Sequence, residues 1–220
     1  KHVLAVTYAL EKRKPVVIKS TKNNYLGLKS YQVADASSAA PTYFPTKGLE
    51  LPPDSDEFWL IDGGVIANNP TMCAIAEARQ VWPDVSLGEM RVLSIGTGFM
   101  TRKINGPESQ KWGGLQWMTK GKIMEVLSDE RVVAYQAMTI MDKGTYIRVN
   151  AKLLPQPGLA KSLVPDDAID DVSKTNIKRL KALGDFWFVQ YGKAAVELLI
   201  NSYNGSSLDR IDPATGKPIQ

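Results

Sequence analysis

Asp62 is the residue best placed to do chemistry. It follows the apolar run Phe58-Trp59-Leu60-Ile61 and precedes Gly63-Gly64. The run has strand length, and an acid at the carboxyl end of a buried strand sits where open α/β sheets bind ligands. The two glycines let the main chain turn sharply and approach a neighbouring segment closely. Such a carboxylate could act as a general base. On Asp-Gly-Gly alone, however, the ordinary reading is a turn. A second stretch, Ala34-Asp35-Ala36-Ser37-Ser38-Ala39-Ala40-Pro41-Thr42-Tyr43-Phe44-Pro45, combines small residues that allow close packing with two prolines that force an extended exit. Its composition reveals no chemistry of its own.

Other constellations fall away on inspection. Gly96-Thr97-Gly98 could begin a dinucleotide fingerprint, but Thr101 stands where the third glycine belongs, and the Walker pattern fails too. A strand-ending turn is the plainer reading, with a nucleotide-binding module as its rival. The single histidine, His2, makes a Ser-His-Asp triad built from these residues improbable. The one cysteine, Cys73, excludes an internal disulfide and a cysteine metal cluster, and its apolar helical surroundings read as a buried site. Asp54/Asp56 and Asp166/Asp167 lack histidine companions and read as solvated turns.

The elements that must position Asp62 can be read from pattern. Val3 to Tyr8 and Pro15 to Ile18 are β-rich runs around a charged connector, which suggests a strand pair. Ser30 to Ala40 reads as a short helix, Gly48 to Glu57 as a loop, and Phe58 to Ile61 as a strand. Asn69 suits an N-cap and Pro70 a first helical position, opening a helix to about Val81 that Trp82-Pro83 ends. Arg91 to Ile95 and Gly144 to Asn150 read as strands, with a loop from Phe99 to Lys111. Ile123, Val126, Leu127, Ala134, Ala137 and Met138 predict helix over Leu115 to Met141. Ser173 is the expected N-cap of a last helix, with Ile177, Leu180 and Leu183 on one stripe and Gly184 as a break or bend. Phe186, Trp187 and Phe188 are expected to pack inside or against a partner. Trp112, Leu115, Trp117 and Met118 read as core packing or as a lip that meets lipid. Alternation of strands and helices, several strands being apolar throughout, predicts an α/β domain with a largely parallel sheet.

Composition sets the bounds. The chain has 220 residues, 44% hydrophobic and 23% charged, which suits one domain with a core and argues against disorder. The net charge is +4, and groups such as Lys12-Arg13-Lys14 and Lys178-Arg179-Lys181 are scattered rather than gathered into a stripe. This pattern does not predict a nucleic-acid partner. No apolar run approaches the roughly 20 residues needed to span a bilayer. The absence of a secretory signal and the single cysteine fit a cytoplasmic protein peripheral to membranes, although the abrupt start at Lys1 hints that residue 1 is not the natural beginning.

Taken in order, Ala-Ser-Ser-Ala-Ala-Pro-Thr-Tyr-Phe-Pro, a strand with Asp62-Gly63-Gly64, then Asn68-Asn69-Pro70, resemble the patatin-like phospholipase family. Leu93-Ser94-Ile95-Gly96-Thr97-Gly98, Asp170-Asp171-Val172-Ser173 and Leu183-Gly184 are similar to later parts of that family, so the resemblance covers about residues 1 to 200. It implies a patatin-like three-layer sandwich with a mostly parallel central sheet, of which this chain is the C-terminal half: residues 1–203 of one domain, then a flexible tail at 204–220. It also implies a Ser-Asp dyad with Asp62 as its acid and Gly63 and Gly64 supporting it. The implied activity is hydrolysis of acyl esters in phospholipid or related lipids, with no metal or cofactor. The implied partners are the acyl lipid, a membrane surface met transiently and the N-terminal half of the same domain. One departure matters: no Gly-x-Ser-x-Gly elbow and no Gly-rich oxyanion loop occur in the chain. Ser94 comes nearest, with Val92 in the first glycine position. Both motifs would belong before residue 1, so this chain alone is expected to be inactive. A non-catalytic binding or storage module with the same fold is the alternative.

Overall fold

The computed structural model describes residues 1–51, 57–101 and 103–220, which leaves Asp54 and Asp56 outside the described residues. In chain order the elements begin with β1 (Leu4–Ala9), β2 (Lys14–Lys19), α1 (Ser30–Ser37), β3 (Lys47–Glu50), β4 (Glu57–Asp62), α2 (Gly64–Ala67) and α3 (Thr71–Val81). There follow β5 (Val92–Ile95), α4 (Gly106–Ser109), α5 (Gly114–Thr119), α6 (Ile123–Leu127) and α7 (Arg131–Ile140). The chain closes with β6 (Tyr146–Val149), α8 (Lys174–Leu199), β7 (Ile211–Asp212) and β8 (Lys217–Pro218). Residues 1–82 with 104–133 form one compact unit, and residues 83–103 with 134–220 form another.

The first unit is built on a four-stranded sheet in the order β2-β1-β4-β3. Every pairing in it is antiparallel, contrary to the largely parallel sheet the apolar strands predict. Short connections explain two of the three pairings. Strands β1 and β2 are joined only through Leu10–Arg13, and β3 and β4 by a similarly brief segment. A parallel return needs a crossover of a dozen or more residues. Arg13 takes a positive φ of 47° in the tight turn. Strand β3 lies inside the stretch read as loop, where Leu49 and Leu51 fill a core with Ala9, Val16, Ile18, Ala36, Phe58 and Leu60. The short helix α1 lays Ala36 against this sheet.

The second unit carries the parallel pairing. Strands β5 and β6 align from Val92 opposite Tyr146 to Ile95 opposite Val149, and a long stretch of helices separates them in the chain. All four residues of β6 are buried. Helix α8 packs with Leu183, Phe186, Trp187, Tyr191, Ala194 and Leu198, a spacing of three to four that makes one apolar stripe. Ser173 caps this helix as expected, its Oγ accepting from the Asn176 N–H at 3.1 Å. Gly184 does not interrupt it, since a lone glycine costs only about 1 kcal/mol relative to alanine and the buried stripe outweighs that. Of the predicted stripe Leu183 is buried but Ile177 and Leu180 are exposed, and of the aromatic trio Phe186 and Trp187 pack inside while Phe188 is exposed.

Three further expectations change. The predicted helix over 115–141 is three helices, because Lys122 adopts a φ of 44° after Gly121, and a second break falls between α6 and α7. Residues 204–220, read as a flexible tail, form the β7–β8 hairpin instead. Leu208 bridges to Ile147, and Ile211 is buried in the core, so two apolar side chains anchor a polar stretch. Cys73 is half-buried rather than buried. Among the described residues, no helix is long and apolar enough to cross a membrane.

Candidate active site

Asp62 is the last residue of β4 and is half-buried. Its neighbour on β1 is Thr7, whose buried hydroxyl donates to the Ile61 carbonyl at 2.7 Å and stiffens the strand end. Beyond it the chain turns directly into α2. Three successive amides make the turn. The Asp62 N–H donates to the Ala39 carbonyl at 3.0 Å, and the Gly63 N–H to the Ser37 carbonyl at 3.3 Å. The Gly64 N–H donates to Asp62 Oδ1 at 2.7 Å. The two sequence stretches singled out for their residue types are therefore joined main chain to main chain. Asp62 Oδ1 is fixed by a charge-assisted bond. No hydrogen bond engages the other carboxylate oxygen among the described residues.

The glycines have different reasons to be there. Gly63 has an ordinary helical backbone, with φ −67° and ψ −20°. Its requirement is space: a Cβ would sit 2.1 Å from the Val6 carbonyl oxygen of β1. The Ser37 hydroxyl donates to that same oxygen at 2.6 Å, which draws the end of α1 onto the strand. At Gly64 a Cβ would lie 3.1 Å from Asp62 Oδ1, so a side chain would press on the carboxylate. After Ala40 the chain does not leave extended, as the prolines predicted. The Tyr43 and Phe44 amides both donate to the Ala40 carbonyl, and Thr42 takes a φ of 76°.

The asparagines after α2 do more than start a helix. Asn69 is 3% exposed. Its Oδ1 accepts from the Thr71 N–H at 3.1 Å, and its Nδ2 donates to Glu130 Oε2 at 3.0 Å. The helix begins one residue later than predicted, with Pro70 in the flanking position. Asn68 Nδ2 donates to the Ser128 carbonyl at 3.1 Å. The pair thus ties the segment after α6 to the helix that starts at the Asp62 turn. Spacing along the sequence held no signal for this, because the partners are about 60 residues away.

His2 packs against Trp82 with the rings tilted, centroids 5.4 Å apart. It lines a cleft with Lys19, Thr21, Lys22, Glu77, Gln80 and Val81, a set that does not include Asp62. Hydrogen bonds from Lys19 and Thr21 hold the Glu77 carboxyl below the usual carboxylate range. In the second unit, the Gly96-Thr97-Gly98 turn is filled by protein. Asn150 Oδ1 accepts from the Gly98 N–H at 3.0 Å, and Arg148 Nη1 donates to Ser94 Oγ at 2.9 Å. Among the described residues no helix opens at this turn, so the N–H cradle of a dinucleotide site is not formed there. Ser94 is buried. Among the described residues, no group of three or more His, Cys, Asp or Glu side chains gathers as a metal site would.

A mixed α/β chain with a strand-end carboxylate held by a small-residue segment is the class that fold and site define. No protein-family model matches the chain. Curated proteins do. Patatin-like protein 2 of Oryza sativa subsp. indica is 30% identical over 215 residues, covering 84% of this chain and 51% of that protein. Patatin-like protein 3 of Arabidopsis thaliana is 31% identical over 177 residues, covering 68% of this chain and 41% of its own length. Probable inactive patatin-3-Kuras 1 of Solanum tuberosum is 27% identical over 203 residues, 81% of this chain and 52% of that protein. The chain belongs to the patatin-like family. It spans about half the length of the curated relatives it matches.

Proposed function

We propose that this chain is the acid-bearing, C-terminal portion of a lipid acyl hydrolase whose nucleophilic serine and oxyanion loop lie in a segment preceding Lys1. Asp62 is the general base. The observation that carries the reading is the state of its carboxylate: Oδ1 is tethered by the Gly64 amide, and the second oxygen is left without a hydrogen bond among the described residues. That oxygen is the acceptor a serine hydroxyl needs. Asp62 takes the hydroxyl proton as the serine oxygen attacks the acyl carbonyl. Asp62 then gives that proton to the departing alkoxide, which leaves as the alcohol, and Asp62 takes a proton from the water that hydrolyses the acyl-enzyme and returns it to the serine oxygen. Gly63 and Gly64 serve the acid through close approach to β1 and through the tethering amide.

The rest of the domain is the partner this reading requires. Among the described residues, β5 pairs on one side only, with β6. Ile95 on β5, and Phe188 and Val189 on α8, are exposed. An open strand edge and bare apolar side chains fit a sheet that continues into further chain, as in a three-layer sandwich. The test is phospholipid hydrolysis by the parent polypeptide, its Asp62→Asn variant and this 220-residue chain. Activity in the parent alone supports the dyad. Equal activity in parent and variant removes Asp62 from the mechanism.

A binding or storage role is the second reading. It draws on the missing Gly-x-Ser-x-Gly and on the relative named as probably inactive. A parent sequence with no such elbow before Lys1 would favour it.

A further inference from the structure

Strand β4 leaves its sheet at Asp62, one rung before its partner strand runs out. In an antiparallel pair, hydrogen-bonded and non-bonded residue pairs alternate. Leu10 and Trp59 mark a bonded rung, the Leu10 N–H donating to the Trp59 carbonyl at 3.0 Å. By the β1–β4 register the next bonded rung joins Tyr8 with Ile61, and the one after it would join Val6 with Gly63. Thr7 secures the first of these, since it is fully buried and its hydroxyl donates to the Ile61 carbonyl at 2.7 Å. The Val6–Gly63 rung does not close. Ser37 stands in for both of its members: the Ser37 carbonyl accepts the Gly63 N–H at 3.3 Å, and the Ser37 hydroxyl donates to the Val6 carbonyl at 2.6 Å. The strands are close enough for the displaced rung, because a Cβ on Gly63 would sit 2.1 Å from the Val6 oxygen.

The other side of β4 is served in the same way. Strand β3 starts at Lys47, opposite Leu60, so Asp62 lies beyond it, and the Asp62 N–H donates to the Ala39 carbonyl at 3.0 Å. Residues 37–39 thus take over from β1 and β3 where the acid stands. Of the three bonds they make there, one depends on residue type, the bond from the Ser37 hydroxyl. It has a chemical consequence. With the rung open, Gly63 takes a helical backbone, and the Gly64 N–H comes back onto Asp62 Oδ1 at 2.7 Å. A closed rung would carry β4 on through Gly63 and delay the turn that tethers the carboxylate. Without the hydroxyl, the buried Val6 carbonyl loses this donor, and an unsatisfied buried acceptor is costly. The Gly63 N–H is the donor that the ladder would supply in its place.

We propose that Ser37 is the positioning residue for Asp62: its hydroxyl occupies the Val6 carbonyl, keeps the Val6–Gly63 rung open and so sets the carboxylate at the turn. The inference rests on the reading of Asp62 as general base, and it gives the small-residue segment before Pro41 a part in placing that base.

Two measurements test it. In the 220-residue chain, NMR couplings across hydrogen bonds identify the carbonyl that takes the Gly63 N–H. It should be that of residue 37 in the wild type and in Ser37→Thr, which keeps the hydroxyl, and that of Val6 in Ser37→Ala. In the parent polypeptide, phospholipid hydrolysis by Ser37→Ala should show kcat lowered about a hundred-fold with KM unchanged, the cost of misplacing a reacting group by about 1 Å. Ser37→Thr should restore kcat. In an Asp62→Asn background, Ser37→Ala should cause no further loss, because both changes act on one group. Ser37→Cys keeps the volume with only a weak donor, and it gives the same readings if the alanine variant does not fold. Wild-type kcat in Ser37→Ala overturns the proposal. So does a Gly63 coupling that stays on residue 37 in that variant, or a full further loss in the Asp62→Asn background. Wild-type activity in Asp62→Asn is a different result: it overturns the general-base reading, while the Gly63 coupling still reports whether Ser37 holds the rung open.

Discussion

Two strands in this chain end in similar punctuation. Strand β4 runs Leu60-Ile61-Asp62 into Gly63-Gly64, and β5 runs Leu93-Ser94-Ile95 into Gly96-Thr97-Gly98. Their chemical states differ. At the first, main-chain bonds to 37–39 hold the turn, and among the described residues one carboxylate oxygen has no hydrogen bond. At the second, side chains of the neighbouring strand fill the turn: Asn150 takes the Gly98 amide, and a Cβ at Gly96 would lie 2.7 Å from Asn150 and 2.8 Å from Arg148. The lesson is that a glycine turn after a strand becomes a candidate site when its support comes from the main chain and a polar side chain remains unused. When side chains supply the support, the turn is structural.

The sharpest way to break this comparison is Asp62→Asn in the parent polypeptide. Hydrolysis should fall by about 10²–10⁴-fold, the range for a lost general base, while the melting temperature barely moves. An amide oxygen can still accept the Gly64 N–H, so loss of activity together with loss of fold would mean the acid is structural. Next is Gly63→Ala, which drives a methyl into the Val6 carbonyl. It should cost about 3 kcal/mol in urea unfolding, the upper end for overpacking. A near-neutral result would show that β1 and the turn are less closely apposed. Asn150→Ala tests the other turn. Removing its acceptor should cost about 1–3 kcal/mol by leaving the Gly98 amide unsatisfied, with kcat unchanged beyond that loss of folded protein. Thr97→Ala should do least. Its side chain is exposed, and stability should stay within about 0.5 kcal/mol with activity intact. A large loss of activity there would make the Gly96 turn a site after all.

Legibility of the fold followed the range of the forces involved. The end of α3 at Val81 and the start of α8 after Ser173 are set by local capping and by Trp82-Pro83, and both could be read from residue order. Strand direction could not. Apolar runs look alike in parallel and antiparallel sheets, and the brevity of the β1–β2 and β3–β4 connections was the better guide. The helical spacing over 115–141 was real, but Gly121 answers to the Trp112–Trp117 pair, and the chain breaks there. Residues 204–220 are polar on average, and Leu208 and Ile211 suffice to seat them.

At the site, Asp62 and both glycines could be singled out from residue type. What held them could not, because the Ala39 and Ser37 carbonyls carry no residue code. The Asn68 and Asn69 amides likewise gain meaning only from partners distant in the chain.

Because the acid is registered by main-chain bonds, its seating has a reporter that needs no substrate. The amides of Asp62 and Gly63 should exchange with deuterium about as slowly as the sheet they end, for as long as residues 37–39 stay docked. Their exchange rates would then measure how often the site comes apart in solution, in a chain that carries no nucleophile elbow.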